Sequence, residues 1–103
     1  MRPRYDFTQR ALADLRDIAR YTSRTWGVKQ ARLYREELEL SIQKLALSPG
    51  MGHPREDLAP SVRSFPVARH VAFYVESKGD LTVLRLLHPS MDVGRAFSEG
   101  DES

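Results

Sequence analysis

The sequence predicts an α+β fold in the order β-α-α-β-β-β, with a helical hairpin packed on one face of a small, mainly antiparallel sheet. Three observations lead there. Two helical runs meet at Gly27, three strand candidates crowd together after residue 61, and a short alternating segment opens the chain. With 103 residues, 41% hydrophobic and 29% charged, the chain suits one globular domain. That domain is expected over residues 1–97, with 98–103 as a frayed tail.

The opening Arg4-Tyr5-Asp6-Phe7 alternates, which reads as a short strand with Tyr5 and Phe7 on one face. Pro3 places it at a strand start or a sheet edge. Thr8 stands where an N-cap belongs, ahead of a helical run to about residue 25. Leu12, Leu15, Ala19, Thr22 and Trp26 form its apolar stripe, with Ile18 at the margin. Gly27 breaks that run. A second helix is expected over 28–47, stopped by Ser48-Pro49-Gly50.

The second helix carries two stripes. Ala31, Tyr34, Leu38, Ile42 and Leu45 make the main one, and Leu33, Leu40 and Leu47 recur a heptad apart on nearly the opposite side. A sheet and a hairpin neighbour touch a helix at closer angles than that. Leu40 at least is therefore expected to stay partly accessible until a partner covers it.

Residues 50–61 read as loop, and strands are expected over 62–68, 69–76 and 81–88, with Ser77-Lys78-Gly79-Asp80 as a tight turn. Pro66 makes the first of these an edge or bulged strand. The run from Leu81 to Leu87 is the most apolar and belongs near the sheet centre. Residues 89–97 are expected to hold at most one helical turn. Met91, Asp92 and Arg95 lie outside what the hairpin core needs, so they are expected to engage a partner rather than to pack.

Composition excludes several chemistries. There are no cysteines, so disulfides, thiolate nucleophiles and iron–sulfur clusters are out. No run reaches the roughly 18–20 apolar residues of a membrane span, and the N-terminus lacks the apolar core of a signal peptide, so the cytoplasm is expected. The three histidines, His53, His70 and His88, show no metal-ligand spacing, and neither a metal nor a cofactor is expected. Gly50-Met51-Gly52-His53-Pro54-Arg55 follows a helix and leads to a strand, the reverse of a phosphate-cradling loop. Glu56 and Asp57 beside Arg55 read as a solvated turn.

One constellation has the makings of chemistry. Arg63, Arg69, His70, Arg85 and His88 lie on the three strand candidates, and on one sheet face they would suit phosphodiester binding and acid–base cleavage of RNA. Register decides it. A two- or four-residue turn pairs Glu76 with Leu81, Ala72 with Arg85 and Arg69 with His88, whereas a three-residue loop with a bulge moves the set apart. The sequence is compatible with both.

An ordered set of short motifs carries a resemblance over residues 5–97. It comprises Trp26-Gly27 between the helices, Gln30-Ala31-x-x-Tyr34, Pro49-x-x-Gly52-x-x-Arg55-x-Asp57-Leu58 and Val62-Arg63-Ser64-Phe65. Arg69-His70-Val71-x-Phe73-Tyr74 and Val83-x-Arg85-x-Leu87-His88-x-x-Met91-Asp92-Val93-x-Arg95 complete it. In order and spacing these resemble the ParE-type toxins of the ParE/RelE superfamily. The resemblance implies a ParD-like antitoxin in a hetero-oligomer and DNA gyrase as target, with nucleic acid reached only through the gyrase–DNA or antitoxin–operator complex. In such a system the outward leucines Leu33, Leu40 and Leu47 are expected to meet an antitoxin segment or a second toxin copy, and Met91, Asp92 and Arg95 the target or the antitoxin. The related RelE-type toxins are ribosome-dependent nucleases of the same fold, for which His88, Arg63 and Arg85 would be the catalytic set. Here the chain departs from the nuclease pattern: Arg55 stands after Pro54, Pro89 follows His88, and no lysine lies on a central strand. Without the acid partner and stacking aromatic, the gyrase-binding expectation is the stronger.

Overall fold

The computed structural model describes residues 4–101. Thr8 caps the first helix as expected: its Oγ1 accepts from the Ala11 N–H at 3.1 Å and donates to the Leu84 carbonyl at 2.8 Å. The cap thus ties α1 (Gln9–Trp26), just after strand β1 (Tyr5–Phe7), to strand β5 (Asp80–Leu87). A single residue, Gly27, joins α1 to α2 (Val28–Leu47). Its φ of 96° is readily adopted only by glycine. Its N–H donates to the Ser23 carbonyl, and its own carbonyl accepts from Ala31.

The hairpin buries Ala11, Leu15 and Thr22 from α1 and Leu38, Ile42, Leu45 and Ala46 from α2. Trp26 does not complete the stripe. It is 68% exposed, a full turn beyond Thr22, the last buried residue of α1. The second leucine set is outward as expected, with Leu33, Leu40 and Leu47 at 48%, 57% and 67% exposure.

The sheet has five strands in the order β1-β5-β4-β3-β2, where β2 is His53–Pro54, β3 is Arg63–Val67 and β4 is His70–Ser77. β1 runs parallel to β5 and every other pairing is antiparallel. β2 is an addition to the expected strands. Two residues of the expected loop pair with Ser64 and Arg63, too short a match to show in the local pattern. Beyond that pairing, Pro66 lies on an uncovered edge, where its missing N–H costs nothing.

Lys78 and Gly79, both at positive φ, close the β4–β5 hairpin in two residues. Glu76 pairs with Leu81 as the short turn requires. A bulge between Phe73 and Tyr74 then shifts the register, so that Phe73 faces Arg85 and Ala72 faces Leu86. The expected pairing of Ala72 with Arg85 is therefore displaced by one. The bulge puts Leu84 and Arg85 out of alternation, so the two sheet faces exchange ownership of β5 midway.

Both faces are covered. Tyr74, Ala72, Leu81, Val83 and Leu86 pack under the helical hairpin. Val62, Phe73 and Leu87 form a second core with Ala96, against which Val93 and Phe97 pack. These last residues belong to α3 (Val93–Asp101), where at most one turn was expected. Asp92 starts it, its carboxylate accepting from the Arg95 N–H at 3.1 Å. The helix also runs through 98–101, where fraying was expected; 102 and 103 lie outside the described residues.

Candidate functional site

Arg85 is the residue most unlike its expectation. It is 7% exposed, and its guanidinium spans three elements. Nε and one terminal nitrogen donate to the Asp14 carboxylate at 2.8 and 3.1 Å, and the other donates to the Ala96 carbonyl at 2.7 Å. Asp14 also accepts from the Leu86 N–H at 2.9 Å, replacing the strand partner that β1 no longer supplies so far along β5. Arg85 therefore fastens α3 and α1 to the sheet, and its burial keeps the guanidinium from a phosphate in solvent.

Arg63 is also occupied. One of its terminal nitrogens donates to the carbonyls of Gly52 at 2.7 Å and Gly50 at 3.4 Å. The Tyr74 hydroxyl holds the same loop, accepting from the Gly52 N–H and donating to the Pro49 carbonyl at 2.6 Å. A Cβ on residue 52 would run into the Tyr74 ring, so this close approach requires glycine. Arg69 sits in the two-residue β3–β4 turn with an exposed side chain, and only its main-chain N–H is engaged, by the Tyr34 hydroxyl at 2.9 Å.

The bulge brings His70 and His88 together in place of Arg69 and His88, with ring centroids 5.7 Å apart, edge to face. Tyr34 accepts from Arg69, so its own proton goes to His70 Nδ1 at 2.7 Å. His88 Nδ1 accepts from the Ser90 N–H at 3.2 Å and lies 2.7 Å from the Ser90 hydroxyl. Assigned from these partners, both neutral imidazoles carry their proton on Nε2. Neither presents a free lone pair to a substrate. Burial pushes the His70 pKa below its ordinary value, and the charge of His88 adds to that; burial likewise raises the Tyr34 hydroxyl.

Beside His88 a groove of about 590 Å³ opens between the sheet and the start of α3, rimmed by His53, Arg55, Ser64 and His88 over a floor that includes Phe73. Arg55 lies 5.7 Å over the Phe73 ring and is gripped by Asp57 at 3.0 and 2.9 Å. That grip holds the Asp57 carboxyl below the usual carboxylate range. Among the described residues no group of histidines and carboxylates is arranged to hold a metal.

The other candidate residues lie on the surface. Leu33, Leu40 and Leu47 form an outward ridge on α2, and Met91 is 48% exposed next to the Asp92 cap. Arg95 is exposed on α3. The tail residues that the sequence reading passed over, Val93, Ala96 and Phe97, are the ones that pack. Their spacing behind an Asp cap was the available signal.

Comparison with known proteins agrees with this architecture. The family model for the ParE toxin of the type II toxin-antitoxin system, parDE, matches residues 5–93. Toxin ParE1 of Caulobacter vibrioides is 41% identical over 92 residues, covering 89% of this chain and 94% of that protein. Toxin ParE1 of Mycobacterium tuberculosis is 36% identical over 96 residues, covering 92% and 98%. A solved structure described as the chromosomal ParDE TA system from P. aeruginosa superposes with a TM-score of 0.71 at 20% identity, covering 82% of this chain and 94% of that one. No helix of the described residues is long and apolar enough to cross a membrane. The chain therefore belongs to the ParE toxin family of type II toxin–antitoxin systems.

Proposed function

We propose that this toxin acts by binding rather than by catalysis, engaging DNA gyrase in the cytoplasm and holding its cleaved-DNA state. The observation that carries the reading is the commitment of the nuclease-like set. Arg85 is spent on Asp14 and Ala96, Arg63 on the Gly50 and Gly52 carbonyls, and His88 Nδ1 on Ser90. A general base needs a free lone pair within reach of the proton it takes, and a phosphate clamp needs a guanidinium that a substrate can reach, which the buried Arg85 is not.

Neutralisation falls to a ParD-like antitoxin, whose segment covers the ridge of Leu33, Leu40 and Leu47. Three outward leucines among Lys29, Glu36 and Lys44 offer apolar anchors ringed by charge, which suits a segment that orders on binding. Met91 and Arg95 extend the exposed surface at the other side of the sheet.

Induction in cells without the antitoxin tests the mode of action. Growth arrest with broken chromosomal DNA and intact translated mRNA is expected, unchanged in a His88→Ala variant. Codon-positioned mRNA cuts that His88→Ala abolishes would replace this reading with the ribosome-dependent nuclease.

A further inference from the structure

The end of the helical hairpin carries a charge density that the rest of the chain lacks. Residues 16–35 hold six cationic side chains against one acid, Asp17, while the whole chain has a net charge of only +2. Arg16, Arg20 and Arg24 recur every fourth residue along the solvent side of α1, and all three are exposed. Lys29 and Arg32 are exposed at the start of α2. Asp17 lies 3.6 Å from Arg20, and Arg35 pairs with Glu39. Among the described residues no carboxylate pairs with Arg16, Arg24, Lys29 or Arg32.

The same end exposes aromatic surface. Trp26 and Tyr21 are 68% and 67% exposed, and every residue from 24 to 30 is exposed. Trp26 lies four positions beyond the last buried residue of α1, roughly 6 Å further along the helix axis. Gly27 is the N-cap of α2 and offers no side-chain cap. The C-terminal end of α1 lies beside it, so the opposed helix dipoles offset one another and the charge of the tip is carried by its side chains.

We propose that this hairpin tip binds single-stranded nucleic acid directly, its arginines on backbone phosphates and Trp26 and Tyr21 stacking on bases. The inference stands on these residues alone and does not need the gyrase reading. It goes beyond the indirect link to nucleic acid expected from the sequence. An acidic peptide is the competing occupant, and two features favour the strand. Guanidinium groups outnumber ammonium groups at the tip, and their fork matches phosphate oxygens. Exposed aromatics beside cations give bases a stacking surface, whereas an acidic peptide gains nothing from two large rings on a convex tip.

Trp26 is the sole tryptophan, so its fluorescence reports contact at the tip without a label. The isolated chain would be titrated with a twelve-nucleotide oligo-dT, its oligo-U counterpart, a twelve-base-pair duplex and an oligoglutamate peptide. Quenching by either single strand supports the site, their ratio identifying the preferred strand. With three phosphates engaged, affinity should fall about 18-fold between 50 and 200 mM salt. The double variant Arg20→Glu/Arg24→Glu should weaken binding tenfold or more. The control Arg69→Glu/Lys78→Glu, with the same charge change on exposed turn residues, should weaken it less than threefold. Equal loss in the control, equal or tighter binding of the duplex or of oligoglutamate, or no quenching at 50 mM salt would each overturn the proposal.

Discussion

The Arg85 guanidinium grips the Asp14 carboxylate through two hydrogen bonds, 71 residues apart in sequence, and the same guanidinium holds the Ala96 carbonyl of α3. The Arg85 and Asp14 side chains are only 8% and 12% exposed. Helical hairpin, sheet and tail thus meet at one buried ion pair. Such a pair contributes little over an apolar replacement but costs much when half of it is removed.

Asp14→Ala is accordingly expected to destabilise the fold by about 3–5 kcal/mol, since it leaves a buried guanidinium and the Leu86 N–H unpartnered. The double variant Asp14→Leu/Arg85→Met should recover part of that loss. Urea unfolding of the three proteins measures both numbers. A loss under about 1 kcal/mol in Asp14→Ala would mean that the pair is solvated.

The tail should behave as core on one side and surface on the other. Phe97 packs edge to face on Phe73 at 5.4 Å, so Phe97→Ala is expected to cost about 2 kcal/mol, less than for a fully buried ring. Met91→Ala should stay within about 0.5 kcal/mol. Truncation after His88 removes the Val93, Ala96 and Phe97 packing, so stability and toxicity should fall together. The expectation from the sequence, with the tail outside the core, is that truncation reduces toxicity more than it reduces thermal stability. Thermal melts of the three variants test it.

Much of this was legible in the sequence and some was not, for physical reasons. The hairpin showed because Thr8, Gly27 and a 3.6-residue period all act locally. The tight turn showed in Ser77-Lys78-Gly79-Asp80, but its length did not, since Lys78 gives no signal for the positive φ it adopts. The bulge did not, because Leu84 and Arg85 read as ordinary alternation and only pairing across to Phe73 and Tyr74 exposes the extra residue. With the bulge unseen, a two-residue turn implies Arg69 opposite His88, the place that His70 takes. The burial of Arg85 was invisible for a similar reason, since nothing near it in sequence announces Asp14. The outward ridge of Leu33, Leu40 and Leu47 followed from angle alone.

Stability should depend on pH through His70. Its folded pKa lies below its ordinary value, so the unfolded chain binds the proton more readily. Stability from this group is present above about pH 6.5 and is lost as pH falls from there towards the folded pKa. The groups facing His70 are the Tyr34 hydroxyl, His88 and Asp14, with Arg69 and Glu37 acting on Tyr34. Unfolding free energies between pH 7.5 and 5 should fall more steeply in the native chain than in His70→Gln. Parallel slopes would remove His70 as the cause.

Gly52→Ala should be costly despite its loop position, by about 1–3 kcal/mol, because the new methyl meets the buried Tyr74 ring. Gly50→Ala, with open space around its Cβ position, serves as the control and should be near neutral.

Leu40→Glu should leave the fold intact, since Leu40 is 57% exposed, and should weaken the antitoxin complex tenfold or more, on the order of 1.4 kcal/mol. Calorimetric titration with the antitoxin, beside a circular dichroism melt of the free toxin, separates the two effects. Unchanged affinity would move the antitoxin off this ridge.

The account's central claim is that the toxin traps gyrase without cutting a substrate itself. The direct measurement is plasmid linearised by purified gyrase after detergent and protease treatment, as a function of added toxin. The account predicts that linear DNA rises with toxin while supercoiling falls, and that His88→Ala and Arg63→Ala do so at concentrations within about threefold of the native chain once corrected for folding. Unaltered gyrase cleavage and supercoiling at saturating, folded toxin would contradict it.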